Sequence, residues 1–246
     1  MTLELIGVSG LPEVRPGDDL GALIADRAAS LRGGDVVVVA QKVVSKAEAR
    51  LRHLASVLVS PQATALAARL NSDARFVQVV LDESAAVLRD ERVLVVETRH
   101  GFVCANAGVD RSNVPGDEVV SLLPLDCDAS AAALRARIAT LTGVDVGVVI
   151  SDTFGRAWRN GLCNVALGVA GLLALLDYRG QTDDYGRPLA ATQVALADEL
   201  AAAAEIVMGK ARRVPVVVVR GLGMGIPAES GSGRDLVRPR ELDLFR

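Results

Sequence analysis

Gly147-Val148-Val149-Ile150-Ser151-Asp152-Thr153-Phe154-Gly155-Arg156-Ala157-Trp158-Arg159-Asn160-Gly161 is the stretch on which the reading of this chain turns. Val146–Ile150 is short, apolar and β-branched, so it predicts a buried strand. The run gives way at Ser151-Asp152-Thr153, where the strand is expected to end. A carboxylate beside a hydroxyl at the mouth of a buried strand suits a hard cation; the plain alternative is that Asp152 caps a turn. Arg156, Trp158, Arg159 and Asn160 follow in one predicted loop, with Gly155 and Gly161 free to turn the backbone. Guanidinium groups beside such a carboxylate point to a phosphate-bearing ligand.

Two other buried strands end in chemistry-bearing residues. Val36–Ala40 runs into Gln41-Lys42-Val43-Val44-Ser45-Lys46, then Arg50. These cations are either solvated or form a lip that receives phosphate oxygens. Val93–Thr98 and Phe102–Ala105, joined at residues 99–101, read as a hairpin leading into Asn106-Ala107-Gly108-Val109-Asp110-Arg111-Ser112-Asn113. That loop has the same make-up as the first. Either the two are unrelated, or they meet. Carboxylates about 4 Å apart repel by roughly 4 kcal/mol at an effective dielectric near 20, and a divalent cation between them converts the repulsion into binding.

The rest reads as scaffold. Leu3–Val8 and Val119–Leu123 are short strands, and Val214–Val219 is a last central strand. Gly10-Leu11-Pro12-Glu13 is a connector with spare backbone donors. Helices are predicted from Asp18 or Asp19 to about Leu31, over Pro61–Leu70 with Ser60 as N-cap, and over about Asp73–Leu88. Two more are predicted over Asp128–Leu141, capped by Asp128, and from Thr192 to Met208, the longest. Val165–Leu176 fits a strand or a buried helix. Gly221–Gly225 and Gly231–Gly233 predict a mobile tail. Strands alternate with helices, but the hairpin at residues 99–101 breaks a pure βαβ order. The expected fold is therefore α/β with mixed α+β character, a mixed sheet with helices.

Composition excludes several function classes. A net charge of −3 argues against a nucleic-acid binder. The longest apolar run, Val165–Leu176, is short of the roughly 20 residues a membrane span requires, and no basic leader opens the chain. Cys104, Cys127 and Cys163 are odd in number and far apart, which fits a reducing cytoplasm. With only two histidines, a metal would be held by oxygen. The phosphate-loop signature fails because Ala204 stands where its first glycine would be, ahead of Gly209-Lys210. Gly221–Gly225 opens no helix, and no nucleophile elbow is present.

In combination, the segments resemble the coenzyme F-420:L-glutamate ligase family. The resemblance is carried by Gln41–Glu48, Asn106–Asn113 and Ser151–Arg156, and by Asp177-Tyr178-Arg179-Gly180, Asp198-Glu199-Leu200-Ala201 and Val217–Gly221, in that order. It runs from the Gly10-Leu11-Pro12 loop to Leu236-Val237-Arg238-Pro239. It implies one family-specific, two-lobed domain over residues 1–246, without the C-terminal reductase-like domain of some bacterial relatives. It further implies GTP-dependent amide ligation: L-glutamate joins the terminal carboxylate of a deazaflavin coenzyme precursor through an acyl phosphate, and repetition builds a γ-linked tail. Mg²⁺ or Mn²⁺, two ions in some relatives, would be required; K⁺ is also compatible, and a homodimer is expected.

By position, the resemblance makes Asp110 and Asp152 ligands of one metal and Thr153 a ligand of a second. Leu11, Pro12, Glu13, Val14, Gln41, Lys42, Lys46 and Asn113 would contact the nucleotide, as would the segment from Met208, Gly209 and Lys210 to about Pro215. Some relatives carry an acidic second-metal ligand where this chain has Lys210. That site is then weakened, completed by Glu205, water or substrate phosphate, or served in part by the lysine's own charge. The competing expectations are a related ligase with another acceptor and a non-catalytic deazaflavin-binding protein.

Overall fold

The computed structural model describes residues 2–28 and 30–244. Its elements run β1 (Glu4–Val8), α1 (Leu20–Arg27), β2 (Val36–Ala40), α2 (Gln41–Ala47), β3 (Leu51–His53), α3 (Pro61–Leu70), α4 (Ala74–Asp82), β4 (Ser84–Arg89), β5 (Val95–Thr98) and β6 (Val103–Ala105). They continue with β7 (Val119–Ser121), α5 (Cys127–Thr142), β8 (Gly147–Arg156), β9 (Arg159–Ala170), β10 (Leu176–Asp177), β11 (Gln193–Val194), α6 (Leu196–Met208) and β12 (Val216–Arg220).

Five strands form the central sheet in the order β1-β12-β2-β8-β9. Only β2 and β8 are parallel; the other pairs are antiparallel. The valine runs of β2, β8 and β12 are apolar on both sides because both faces are covered. Ile24 of α1 and Ala131, Leu134 and Ile138 of α5 close one face, over Val37, Val39, Val148 and Ile150. Ala197, Leu200, Ala201 and Ala204 of α6 close the other, over Val36, Val38, Val149 and Val217. Small alanines let α6 lie close to the sheet. A second core gathers α3, α4, Leu94 ahead of β5, and strand residues Val96 and Val120. This mixed α/β arrangement matches the fold class expected from the sequence.

Several local expectations are corrected. The strand from Gly147 does not stop at Ser151. It continues to Arg156 and pairs with β9 through Thr153↔Asn164 and Arg156↔Arg159, so the predicted loop is a hairpin arm tipped by Trp158 at φ 58°. β9 also settles Val165–Leu176, which is strand as far as Ala170 and turns at Gly171. The helix expected over Asp73–Leu88 ends at Asp82, because Ser84–Arg89 finds a ladder on β5 with Ser84↔Thr98 and Val87↔Val96. Asp126, not Asp128, caps α5. Thr192 does not cap α6, which starts at Leu196 and is shorter than α5. Asp19 caps α1 through the Ala22 N–H, but the helix stops at Arg27, where turn bonds such as Leu31 N–H to the Ala28 carbonyl take over.

The Gly231–Gly233 part of the glycine tail, expected to be mobile, is tied to Asp128. Asp128 Oδ1 accepts from the Val169 and Gly233 N–H groups, and Oδ2 accepts from the Ser232 hydroxyl. A Cβ on Gly233 would stand 2.2 Å from the Leu167 carbonyl oxygen, so only glycine permits this approach. Among the described residues, no helix is long and apolar enough to cross a membrane.

Candidate active site

The site is built where β2 leaves the sheet. β2 and β8 pair as far as Ala40↔Ser151, and then β2 winds directly into α2. Beyond that point β8 has a neighbour on one side only. A register shift between Ile150 and Ser151 occurs at the same place. Asp152 and Thr153 therefore stand past the covered core, at a sheet edge opening into a cleft of about 710 Å³. That volume lies within the roughly 300–1,000 Å³ of small-molecule sites.

Loop residues Leu11, Pro12, Glu13 and Val14 line this cleft from one side, and Gln41, Lys42 and Lys46 of α2 from another. Asn113 enters from the acidic loop, and Met208, Gly209 and Lys210 enter from the end of α6. Asp152 and Thr153 form the strand wall. Asp110 is the exception, since it is not on the lining. It sits behind Lys42, whose Nζ lies 2.6 Å from its Oδ2. The residues from Ala211 to Pro215 that line the cleft are Ala211, Arg213, Val214 and Pro215.

The charges are arranged unevenly. Burial pushes the Asp152 carboxyl up to about 6; the Thr153 backbone N–H and the nearby Lys42 and Lys210 oppose the rise, while Asp110 adds to it. The two acidic turns are thus close enough to feel each other. Burial also raises Asp110, but Lys42 and the Ser112 N–H outweigh it and hold that carboxyl below its ordinary range. Lys46 is buried and pairs with Glu13, tying the Leu11–Val14 loop to α2. Gln41 donates to the Leu122 carbonyl at 3.0 Å, leaving its buried Oε1 without a partner, as is the buried Ser151 hydroxyl.

On the other face of β8, Thr153 Oγ1 donates to Asn164 Oδ1 at 2.6 Å, and Asn164 Nδ2 donates to Glu205 Oε2 at 3.0 Å. Lys210 Nζ donates to Thr153 Oγ1 and lies 3.4 Å from Glu205 Oε1. Sequence reasoning missed Asn164. The available signal was a lone amide within the apolar run Leu162–Ala170; in place, it is buried.

Whether a divalent ion fits is a question of donors. Among the described residues, no three His, Cys, Asp or Glu side chains form a ready-made cage. Asp110 and Asp152 still present two carboxylates beside Lys42 and Lys210, and among the described residues Asp152 takes part in no ion pair. A cation with oxygen ligands, several of them water or phosphate, suits that donor set.

These features define a mixed α/β protein with a charged cleft at one sheet edge, where lysines and carboxylates from four chain segments meet. The family model described as F420-0:Gamma-glutamyl ligase matches residues 10–221, a span that contains every residue lining the cleft, and the chain belongs to this family. It is 46% identical to the Coenzyme F420:L-glutamate ligase of Methanothermobacter thermautotrophicus, over the whole of both chains. It is 45% identical to the protein of that name from Archaeoglobus fulgidus, covering all of this chain and 97% of the relative. To the Methanocaldococcus jannaschii protein it is 42% identical, covering 99% and 97%.

Proposed function

We propose that the protein is a GTP-dependent ligase that joins the amino group of L-glutamate to the terminal carboxylate of the deazaflavin coenzyme F-420 precursor, and then extends a γ-linked tail. The observation that carries this reading is the cleft itself. Lys42, Lys46 and Lys210 stand around it with the Asp152 carboxylate, within a family whose relatives bear that activity in their names.

In the first step a carboxylate oxygen of the precursor attacks the γ-phosphorus of GTP, and GDP leaves. The glutamate amine then attacks the acyl carbon of the resulting acyl phosphate. The carbon–oxygen bond to phosphate breaks, inorganic phosphate leaves, and the amine loses a proton as the amide forms. Both steps bring anions together, so positioning and charge supply most of the rate. Lys42 and Lys46 are placed to meet phosphate oxygens as point charges, and Gln41 Oε1 offers an acceptor to the nucleotide. The Leu11–Val14 loop, held by the Glu13–Lys46 pair, forms one nucleotide wall, with Asn113 and the Met208–Lys210 turn facing it. Asp152, with Asp110, would hold Mg²⁺ or Mn²⁺, which when bound offsets the repulsion between a carboxylate and a triphosphate. The enzyme is proposed to act in the cytoplasm as a homodimer.

The test is incubation with the deazaflavin precursor, GTP, Mn²⁺ and L-glutamate, read by mass spectrometry. A mass gain of one glutamyl residue with matching GDP release is expected. Binding of the precursor with no GDP release would favour a non-catalytic carrier, and turnover with another amino acid alone would change the acceptor.

A further inference from the structure

The two sides of β8 carry different charge balances. On the Asp152 side, Lys42 is paired with Asp110, and Asp152 forms no ion pair with a described residue, although Lys42 and Lys210 both act on it. On the Thr153 side, the Glu205 carboxylate already has an ammonium partner, that of Lys210.

Three hydrogen bonds and one ion pair form a closed ring on the second side. The Thr153 proton goes to Asn164 Oδ1, so the lone pairs of Thr153 Oγ1 face Lys210. Asn164 Nδ2 holds Glu205 Oε2, and Glu205 Oε1 faces the ammonium. Three oxygens that would suit a cation are thus arranged around a tethered one. An ammonium has three N–H donors; Thr153 Oγ1 takes one, Glu205 Oε1 faces the charge as an ion pair, and Lys210 also lines the cleft. A divalent ion at Thr153 would have to displace the Lys210 ammonium, which already lies between Thr153 Oγ1 and Glu205 Oε1.

We propose that the Lys210 ammonium is the second cation of this site, standing where a second divalent ion would otherwise sit, so that the chain takes one Mg²⁺ or Mn²⁺ per bound nucleotide. The inference rests on the nucleotide-dependent reading above. It gives the site a permanent positive charge for a phosphate oxygen, with no ion to recruit. Metal dependence is then a single saturation step.

The test is Mn²⁺ binding to the full chain in the presence of GDP, followed by the electron paramagnetic resonance signal of free Mn²⁺. One GDP-linked Mn²⁺ per chain is expected for the wild type, and two for Lys210→Glu, which replaces the tethered cation by a ligand. Lys210→Gln removes the charge with little change of size; it should keep one Mn²⁺ while GDP binding weakens about tenfold. Two Mn²⁺ ions on the wild type, or no second ion on a folded Lys210→Glu protein, overturn the proposal. No GDP-linked Mn²⁺ on the wild type overturns the nucleotide-dependent reading instead.

Discussion

Lys42 Nζ lies 2.6 Å from Asp110 Oδ2 and donates to Ser112 Oγ at 2.6 Å, while Ser112 N–H and Oγ both return to the Asp110 carboxylate. One ammonium therefore quiets the acidic turn that faces Asp152. Removing it leaves Asp110 without its ion-pair partner and Asp152 with Lys210 alone of the two lysines that act on it. Lys42→Met should lower the stability of the metal-free protein by about 1 kcal/mol or less, because the Asp110 carboxylate it leaves is half exposed. It should also enlarge the thermal shift produced by Mn²⁺, because the added ion then replaces a missing charge as well as filling its own seat. Differential scanning fluorimetry with chelator and with Mn²⁺ measures both; an unchanged Mn²⁺ shift counts against the shared charge balance.

Asp152 has the opposite problem. Its carboxylate is held in a poorly solvated position and, among the described residues, has no ion pair of its own. Asp152→Asn should leave the metal-free protein folded and abolish most of the stabilisation by Mn²⁺. It should also reduce glutamyl transfer on the order of 100-fold, the cost of about 3 kcal/mol that follows loss of one electrostatic stabiliser. Lys42→Ala should reduce it less. Full Mn²⁺-dependent transfer by Asp152→Asn, scored by product mass, contradicts the assignment.

Gly168 tests the scaffold behind the site. It lies on β9 where a Cβ would stand 2.1 Å from the Cys127 carbonyl oxygen, at the start of α5. A backbone carbonyl cannot swing aside as a side chain does. Gly168→Ala should cost about 1–3 kcal/mol, read as a lower urea midpoint with unchanged slope.

Asp73 predicts an acid-sensitive contribution. The Arg75 guanidinium, the Arg75 backbone N–H and nearby Arg111 hold its carboxyl at about 2, against burial that raises it, from an ordinary 3.8. Glu118 shares Arg75. A carboxyl lowered in the folded state binds fewer protons there than in the unfolded chain. Its stabilisation is thus present above about pH 4 and lost as pH falls towards 2. Asp73→Asn should therefore be less stable than the wild type at pH 7 by about 1 kcal/mol or less, the range of a partly exposed pair, and the difference should shrink as pH falls through 4 and vanish only below about 2. Urea titrations at stepped pH give the curve; a gap that widens with acid contradicts the sign.

How much of this was readable beforehand varies by residue. The valine runs of β2, β8 and β12 declare themselves because a strand covered on both faces needs no polar alternation. Pro61–Leu70 is legible for a local reason: Ser60 caps it and Pro61 occupies its first turn. Ser84–Arg89 was misread because its residues tolerate either helix or strand, and β5 made the choice. The same applies to Phe154–Asn160. Polar residues after Ile150 imply an exit from the core, but β9 supplies a ladder that carries the strand on as an arm. Asn164 was invisible because a single amide in an apolar run has no spacing to identify its partners.

Residue type and order alone determined the strands' burial, the mixed α/β class, the family resemblance and the supply of oxygen donors and lysines. Those properties depend on side-chain chemistry and local periodicity, which a linear chain displays in full. Only the tertiary structure decided which charges share a space. It set Lys42 on Asp110, closed Lys210, Glu205, Asn164 and Thr153 into one ring, and left Asp152 without an ion pair among the described residues. Coulomb energies depend on separation and on exclusion of water, and both are created when distant segments pack around the edge that β2 leaves open.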